Sequence, residues 1–351
     1  MKMNRYKALV YLLAGIFMLN SCKKDIPPVP TAQQLTSGGS GFVYILNEGN
    51  FMASNGSVTR LNLNDGMVFT DYYAAQNTNL TLGDVPQSMC EHNGKFYIVV
   101  NNSGKVVCVD KYSFQKQSQL SGFNSPRFFL PVSGNKAYVS DLYANAISVV
   151  DLSNFSIVNS IPLTGWSEEM IERYGKVFVT NKTSSFVYVL NTITDQLIDS
   201  IPTGYGPCSL CEDKNGKLWI LCQGNSTQNL QASLLRINPI TNTIDTSYDF
   251  TGSSHHPSCL RINGPGDVLY YLDSDGVYRM PINGGIPLNA HISQGNRNFY
   301  GLGIDPQNEM IYIADAIDFN QNGKIFRYNS SGSELDSFNS GIIPGFFYFD
   351  K

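Results

Sequence analysis

Short runs of β-branched and aromatic residues alternate along the chain with clusters of Gly, Pro, Asn, Asp and Thr. The stretch 175–207, GKVFVTNKTSSFVYVLNTITDQLIDSIPTGYGP, shows the unit plainly. Its runs Val177–Asn181, Phe186–Asn191 and Leu197–Ile201 have the composition of strands. The breaks between them, Lys182–Ser185 and Thr192–Gln196, are too short for a crossover helix, so the strands are antiparallel neighbours. Pro202, Gly204, Gly206 and Pro207 stop the third run, since Pro lacks a ladder N–H and Gly frees the backbone. One such unit cannot bury both of its faces.

Copies of the unit recur. Markers at Pro86, Pro126, Trp166, Pro207, Pro257, Phe299 and Pro344 are spaced mostly near forty residues apart. Six are followed by a run of one kind: FYIVV (96–100), AYVSD (137–141), VFVTN (177–181), LWILC (218–222), VLYYLD (268–273) and MIYIAD (310–315). The first copy, FVYILN (42–47), lacks a preceding segment, and the last, PGFFYF (344–349), lacks everything after it. This period, with complementary half-units at the two ends, predicts an all-β fold: a seven-bladed β-propeller of four-stranded antiparallel blades over 42–351. The C-terminal strand joins the N-terminal blade and removes two raw sheet edges.

The first residues follow a different pattern. Lys2, Arg5 and Lys7 precede an apolar run, Ala8–Leu19, too short to span a bilayer comfortably, which reads as a signal peptide over 1–21. Leu19-Asn20-Ser21-Cys22 resembles a lipobox, the signal for cleavage before a Cys that receives lipid. Asn20 departs from its usual small or β-branched choice. Acyl chains on Cys22 would anchor the chain to a membrane, with Pro- and Gly-containing residues 23–41 as a tether. Lys23-Lys24-Asp25 weakly resembles the tag that sends some anaerobe lipoproteins to the outer face.

Net charge is −4 with no basic block, which argues against a nucleic-acid partner. The 20 Tyr, 20 Phe, 31 Gly and 16 Pro suit many strands and turns. Catalytic signals are sparse: His92, His255, His256 and His291 are the only histidines, and none has metal-ligand spacing. Glu168 and Glu169 adjoin on a channel-lining strand, where alternation turns them apart and gives a solvated entrance. Cys208 and Cys211 likewise point to opposite faces, while Cys208 and Cys222 sit across a hairpin where a disulfide is conceivable. Cys90, Cys108, Cys211 and Cys259 read as small buried hydrophobes. Asp315, Asp318, Asn320 and Asn322 precede Gly323 loosely as in a Ca2+ loop, without its distal Glu. Asx-type turns are the competing explanation.

Phe178-Val179-Thr180-Asn181 and Tyr138-Val139-Ser140-Asp141 resemble the tetrapeptide that names the YVTN (YncE-type) surface-layer propellers. ILNEGNF (45–51), LGDVPQSM (82–89), VVNNSGKV (99–106), SPRFF (125–129) and DFNQNGKIFRYN (318–329) resemble a lipoprotein family of gut anaerobes, over essentially the whole mature chain. That family is similar to the BtuG-type surface lipoproteins. The resemblance implies an outer-membrane, surface-exposed lipoprotein that captures cobalamin or another corrinoid and hands it to a TonB-dependent transporter, without catalysis.

In a propeller, the connections after the second strand and before the first strand of each blade share one face. Here that face collects Asn47, Glu48, Asn50, Phe51, Asn101, Asn102, Tyr143, Asn145, Trp166, Asn181, Tyr205, Gln223, Asn225, His255, His256, Arg297, Phe299 and Asp318. Amides and aromatics with few charges suit a large amphipathic ligand such as a corrinoid. Trp166, read as standing in the marker slot, is the leading candidate contact. Two other classes compete: a lactonase- or oxidoreductase-like propeller enzyme, and an adhesion or assembly scaffold.

Overall fold

The computed structural model describes residues 35, 39–78, 80–132, 134–252 and 255–351. The expected signal peptide, Cys22 and most of the expected tether lie outside the described residues. From Phe42 onward the described residues form seven four-stranded sheets, all with antiparallel neighbours, arranged as a seven-bladed propeller. Blade 1 takes its inner strand, Pro344–Asp350, from the C terminus, and Phe42–Asn47, Ser57–Asn62 and Val68–Phe69 complete it. That inner strand pairs with 42–47 from Phe42↔Asp350 to Asn47↔Pro344, so the ring closes as the half-units predict. The inner strands of blades 2 to 7 are Pro86–His92, Pro126–Pro131, Ser167–Arg173, Pro207–Glu212, Ser258–Ile262 and Phe299–Ile304.

Period-2 alternation explains how the blades adhere. Along 137–139, Tyr138 packs toward blade 4, whereas Ala137 and Val139 pack toward blade 2. Every second strand follows this rule, and seven apolar clusters result, one at each seam between neighbouring blades. Phe178 and Trp219, fully buried, fill the seams between blades 4 and 5 and between blades 5 and 6. One element departs from the strand pattern. A short helix, Tyr72–Gln76, is capped by the Asp71 carboxylate and tucks Tyr72 and Tyr73 into the seam of blades 1 and 2.

The six described cysteines are free thiols, so Cys208 and Cys222 are not bridged. Among the described residues no helix is long and apolar enough to cross a membrane.

The closing strand serves two seams at once: Phe347 packs against blade 7, while Phe346 and Tyr348 pack against blade 2. Full burial of such a ring contributes about 1.5–3 kcal/mol, Phe347 is buried and the other two half-buried, and a folded domain has only about 5–15 kcal/mol of net stability. Deleting residues 344–351 should therefore lower the melting temperature of the whole ring, followed by circular dichroism. A truncated chain that melts as the full chain does would contradict closure as a source of stability.

Candidate functional site

Each inner strand begins with an irregularity in the same place. The register to its neighbour shifts within the first residues of all seven, at Pro86/Ser88, Pro126/Phe129, Ser167/Met170, Pro207/Ser209, Ser258/Arg261, Phe299/Gly301 and opposite Leu46/Asn47. These are β-bulges, which add a residue and re-aim side chains. The backbone entering them is bent: Val85 and Ile343 hold left-handed φ of 59° and 52°, and Gly206 takes 71° at the equivalent position without a Cβ penalty.

The register also relocates the marker. Ser167 pairs with Asn181 as Pro126 pairs with Asp141 and Pro207 with Cys222. Ser167 thus holds the Pro slot, and Trp166 stands one residue before it, on the rim.

The residues re-aimed by the bulges enclose a cavity of about 370 Å3 at the end of the channel where the inner strands begin. Gln87, Arg127, Glu168, Cys208, Cys259, Tyr300 and Gly345, one per blade, line it. Glu169 lines it as well as Glu168, so the expectation that strand alternation turns these two apart fails. The bulge between Ser167 and Met170 interrupts the alternation and lets both carboxylates reach the channel.

A polar circuit links the blades. Arg127 donates from Nε to Glu168 Oε2 at 2.8 Å and from Nη1 to the Gln87 side-chain carbonyl. Glu169 accepts from Ser209 Oγ at 2.8 Å, from the Leu210 backbone N–H at 2.9 Å, and from Arg261 Nη1 at 3.2 Å. That last bond runs from blade 6 to blade 4. Phe128, set edge-on to Phe346 at 6.3 Å, lines with Phe346, Glu169 and Arg261 both the cavity and a second void of about 230 Å3.

Tyr300 donates to Glu48 Oε1 at 2.9 Å. Burial lifts the Glu48 carboxyl above its ordinary range, against the opposing pull of the Tyr300 hydroxyl and of Arg127. Burial also pushes the Cys208 and Cys259 thiols up, which keeps them protonated.

The residues expected on this face separate into three groups. Glu48, Gln223 and Phe299 line the cavity. Phe51, Asn102, Tyr143, Asn145, Trp166 and His256 are exposed, and Asn50 and Tyr205 are half-buried. Their aromatics fall in two sets on nearly opposite sides of the ring. Trp166, 41% exposed, meets Tyr143 edge-on at 5.6 Å beside blades 3 and 4. Phe51, 71% exposed, lies in the blade 1 loop, and Phe319 sets its ring edge-on to Tyr300 at 5.6 Å on blade 7.

The third group is engaged within the protein, and burial takes Asn47, Asn101 and Asn181 away from a ligand, which corrects the expectation for these three. Asn47 is fully buried among Ser57, Thr59 and Ser340. Asn101 donates to Ser125 Oγ and the Pro126 carbonyl, and buried Asn181 donates to the Thr164 carbonyl. Asn225 caps a 3-10 turn. His255 Nδ1 lies 2.6 Å from Asp273 Oδ2. Arg297 leaves the channel altogether: its guanidinium stacks on Phe326 at 3.7 Å and pairs with Glu334 on the outer flank.

In the loop considered for Ca2+, Asp315 accepts the backbone N–H groups of Asn298 and Ile317, and Asp318 accepts those of Asn320 and Gln321. Asn320 donates back to the Asp318 carbonyl, and Asn322 opens the third strand of blade 7. These are Asx turns. Among the described residues no group of three or more His, Cys, Asp or Glu side chains is placed to hold a metal ion.

Arg127, Lys182, Arg261, Gln87 and Tyr300 line the cavity without having been expected there. A signal for three of them was present. Gln87, Arg127 and Tyr300 each directly follow a marker residue, the position that the bulge turns inward.

The fold and the cavity define a seven-bladed propeller with a charged central pocket under an aromatic rim. Residues 40–349 match DUF5074, a domain of unknown function, and the chain belongs to that family. No curated protein sequence matches it. Among solved structures it is similar to a protein from Lactobacillus plantarum (13% identity, 89% of this chain and 100% of that one, TM-score 0.67). A quinonprotein alcohol dehydrogenase-like protein from Bacteroides thetaiotaomicron is also similar (15%, 90% and 79%, TM-score 0.64). So is a candidate 6-phosphogluconolactonase from Bacteroides fragilis (13%, 90% and 100%, TM-score 0.64). At such identities the likeness is one of fold.

Glu48 yields a pH prediction. Its folded pKa lies above the unfolded value of 4.5, so the stability linked to its protonation is present below that value and is lost as pH rises through the raised one. Glu48→Gln stays neutral and can still accept from Tyr300. It should melt like the native chain at pH 4 and at a higher temperature than the native chain at pH 8. Equal melting at both pH values would remove Glu48 as a buried titrating group.

Proposed function

We propose that this chain is a non-catalytic ligand-binding lipoprotein of the outer-membrane surface, which captures a large amphipathic ligand on the cavity face of its propeller. The most specific candidate is cobalamin or a related corrinoid, passed to a TonB-dependent transporter. One observation carries the reading: two aromatic sets, Tyr143 with Trp166 and Phe51 with Phe319 and Tyr300, stand on nearly opposite sides of one mouth. A broad amphipathic ring system could lie across them, apolar faces on the aromatics and fringe amides over the polar cavity. A corrinoid exceeds the 370 Å3 below, so it would rest on the rim with only a substituent entering. The lipobox-like Leu19–Cys22 supports the anchor.

A propeller hydrolase is the second reading. It draws on Glu48, a carboxyl lifted by burial within the cavity. Against it, Glu168 and Glu169 are engaged by Arg127 and Arg261.

Titration of the purified chain with a corrinoid panel tests the first reading, with lactone turnover as the competing assay. Trp166→Ala should weaken corrinoid binding by about 2 kcal/mol with little change in melting temperature. Absence of binding to every corrinoid would discard the ligand, and a large loss of stability without loss of affinity would make Trp166 a packing residue. Separately, Cys22→Ala should move the protein out of the membrane fraction and abolish acyl labelling. Unchanged labelling would refute the anchor.

A further inference from the structure

We propose that the cavity is a subsite for an oxyanion, a carboxylate or phosphate group, held between Lys182, Arg127 and Arg261. This deepens the ligand-face reading by naming a chemical group, and it is tested separately from the corrinoid assignment.

The argument is a comparison of donors with acceptors. Glu169 accepts three hydrogen bonds, Glu168 accepts from Arg127, and Glu48 accepts from Tyr300. The cations keep donors to spare. Lys182 Nζ makes no hydrogen bond among the described residues, and its one ionic neighbour, Glu168 Oε1, is 3.6 Å away. Arg127 uses Nε and Nη1, and Arg261 uses only Nη1, so each keeps a terminal nitrogen without a protein acceptor. Because Arg127 occupies the Gln87 carbonyl, the Gln87 amide N–H group is left as another donor.

None of these donor atoms is buried without a partner, so in the free chain they face the solvent of the cavity. A group rich in acceptors would satisfy several at once. Guanidinium groups match carboxylate and phosphate oxygens in geometry as well as charge, and an ammonium adds a point charge. Three cations face three carboxyl groups, and burial raises the Glu48 carboxyl above its ordinary range. Neither cavity thiol adds negative charge, since burial raises both. Arg127, Lys182 and Arg261 come from blades 3, 4 and 6, so only the closed ring brings them together.

Isothermal titration of the purified chain with inorganic phosphate and with citrate, against sodium chloride of equal ionic strength, tests the subsite. One probe or both should bind saturably at one site, and the preferred probe distinguishes a phosphate group from a carboxylate. Lys182→Gln should weaken that binding about tenfold. Lys182 is loosely paired, so the variant should retain the native melting curve. The inference is overturned if neither probe binds beyond the chloride control, or if folded Lys182→Gln binds as tightly as the native chain. A chain that takes a corrinoid but neither probe overturns this inference alone. One that takes a probe but no corrinoid overturns the corrinoid assignment alone.

Discussion

Everything in this molecule depends on the burial of both faces of every blade. A four-stranded sheet with apolar side chains on both sides has no stable existence in water by itself, and each of the seven clusters is made half by one blade and half by the next. A gap at any seam would expose a row of residues such as Val43, Ile45 and Phe347. Closure by the C-terminal strand is thus a requirement of the hydrophobic pattern, and it also pairs the strand edges at the junction of the two termini.

Function is located where that regular scheme is broken. Seven bulges at equivalent positions turn residues of every blade into the channel. The residue types at those positions vary from Gly345 to Arg127, so the repeated backbone provides a ring of independently chosen groups. Here the choice produced a charged cavity, crossed by the Arg261–Glu169 bond. The packed blades behind keep these groups in place, the arrangement expected of a site built on rigid elements.

The rim and the cavity have different chemistry, and the contrast shapes the ligand they can share. Trp166 and Tyr143 on one side, with Phe51 and Phe319 on the other, offer apolar contact over a wide mouth. Beneath them lie guanidinium and ammonium donors in a space that fits only a small group. A ligand with a broad apolar body and an acceptor-rich projection would use both. Such division of labour, area for affinity and a few polar contacts for orientation, is common in small-molecule sites.

The local pattern determined the architecture. Period-2 runs, Pro and Gly punctuation and a repeat near forty residues were enough for seven blades, their strand order and the closing strand at 344–350, because blade geometry follows from short-range alternation and turn chemistry. The face carrying the rim was legible too, since loop placement follows from strand order: Phe51, Tyr143 and Trp166 are exposed there. Side-chain direction was not. Strict alternation sends Glu168 and Glu169 to opposite sides, and only the bulge at Ser167/Met170 brings both inward. Asn47, Asn101 and Asn181 look like ligand contacts in a linear chain, but burial commits them to turns. Arg261 reaches Glu169 from two blades away, 92 positions along the chain. Only ring closure could decide that contact, because no local periodicity encodes which side chains meet across a central channel.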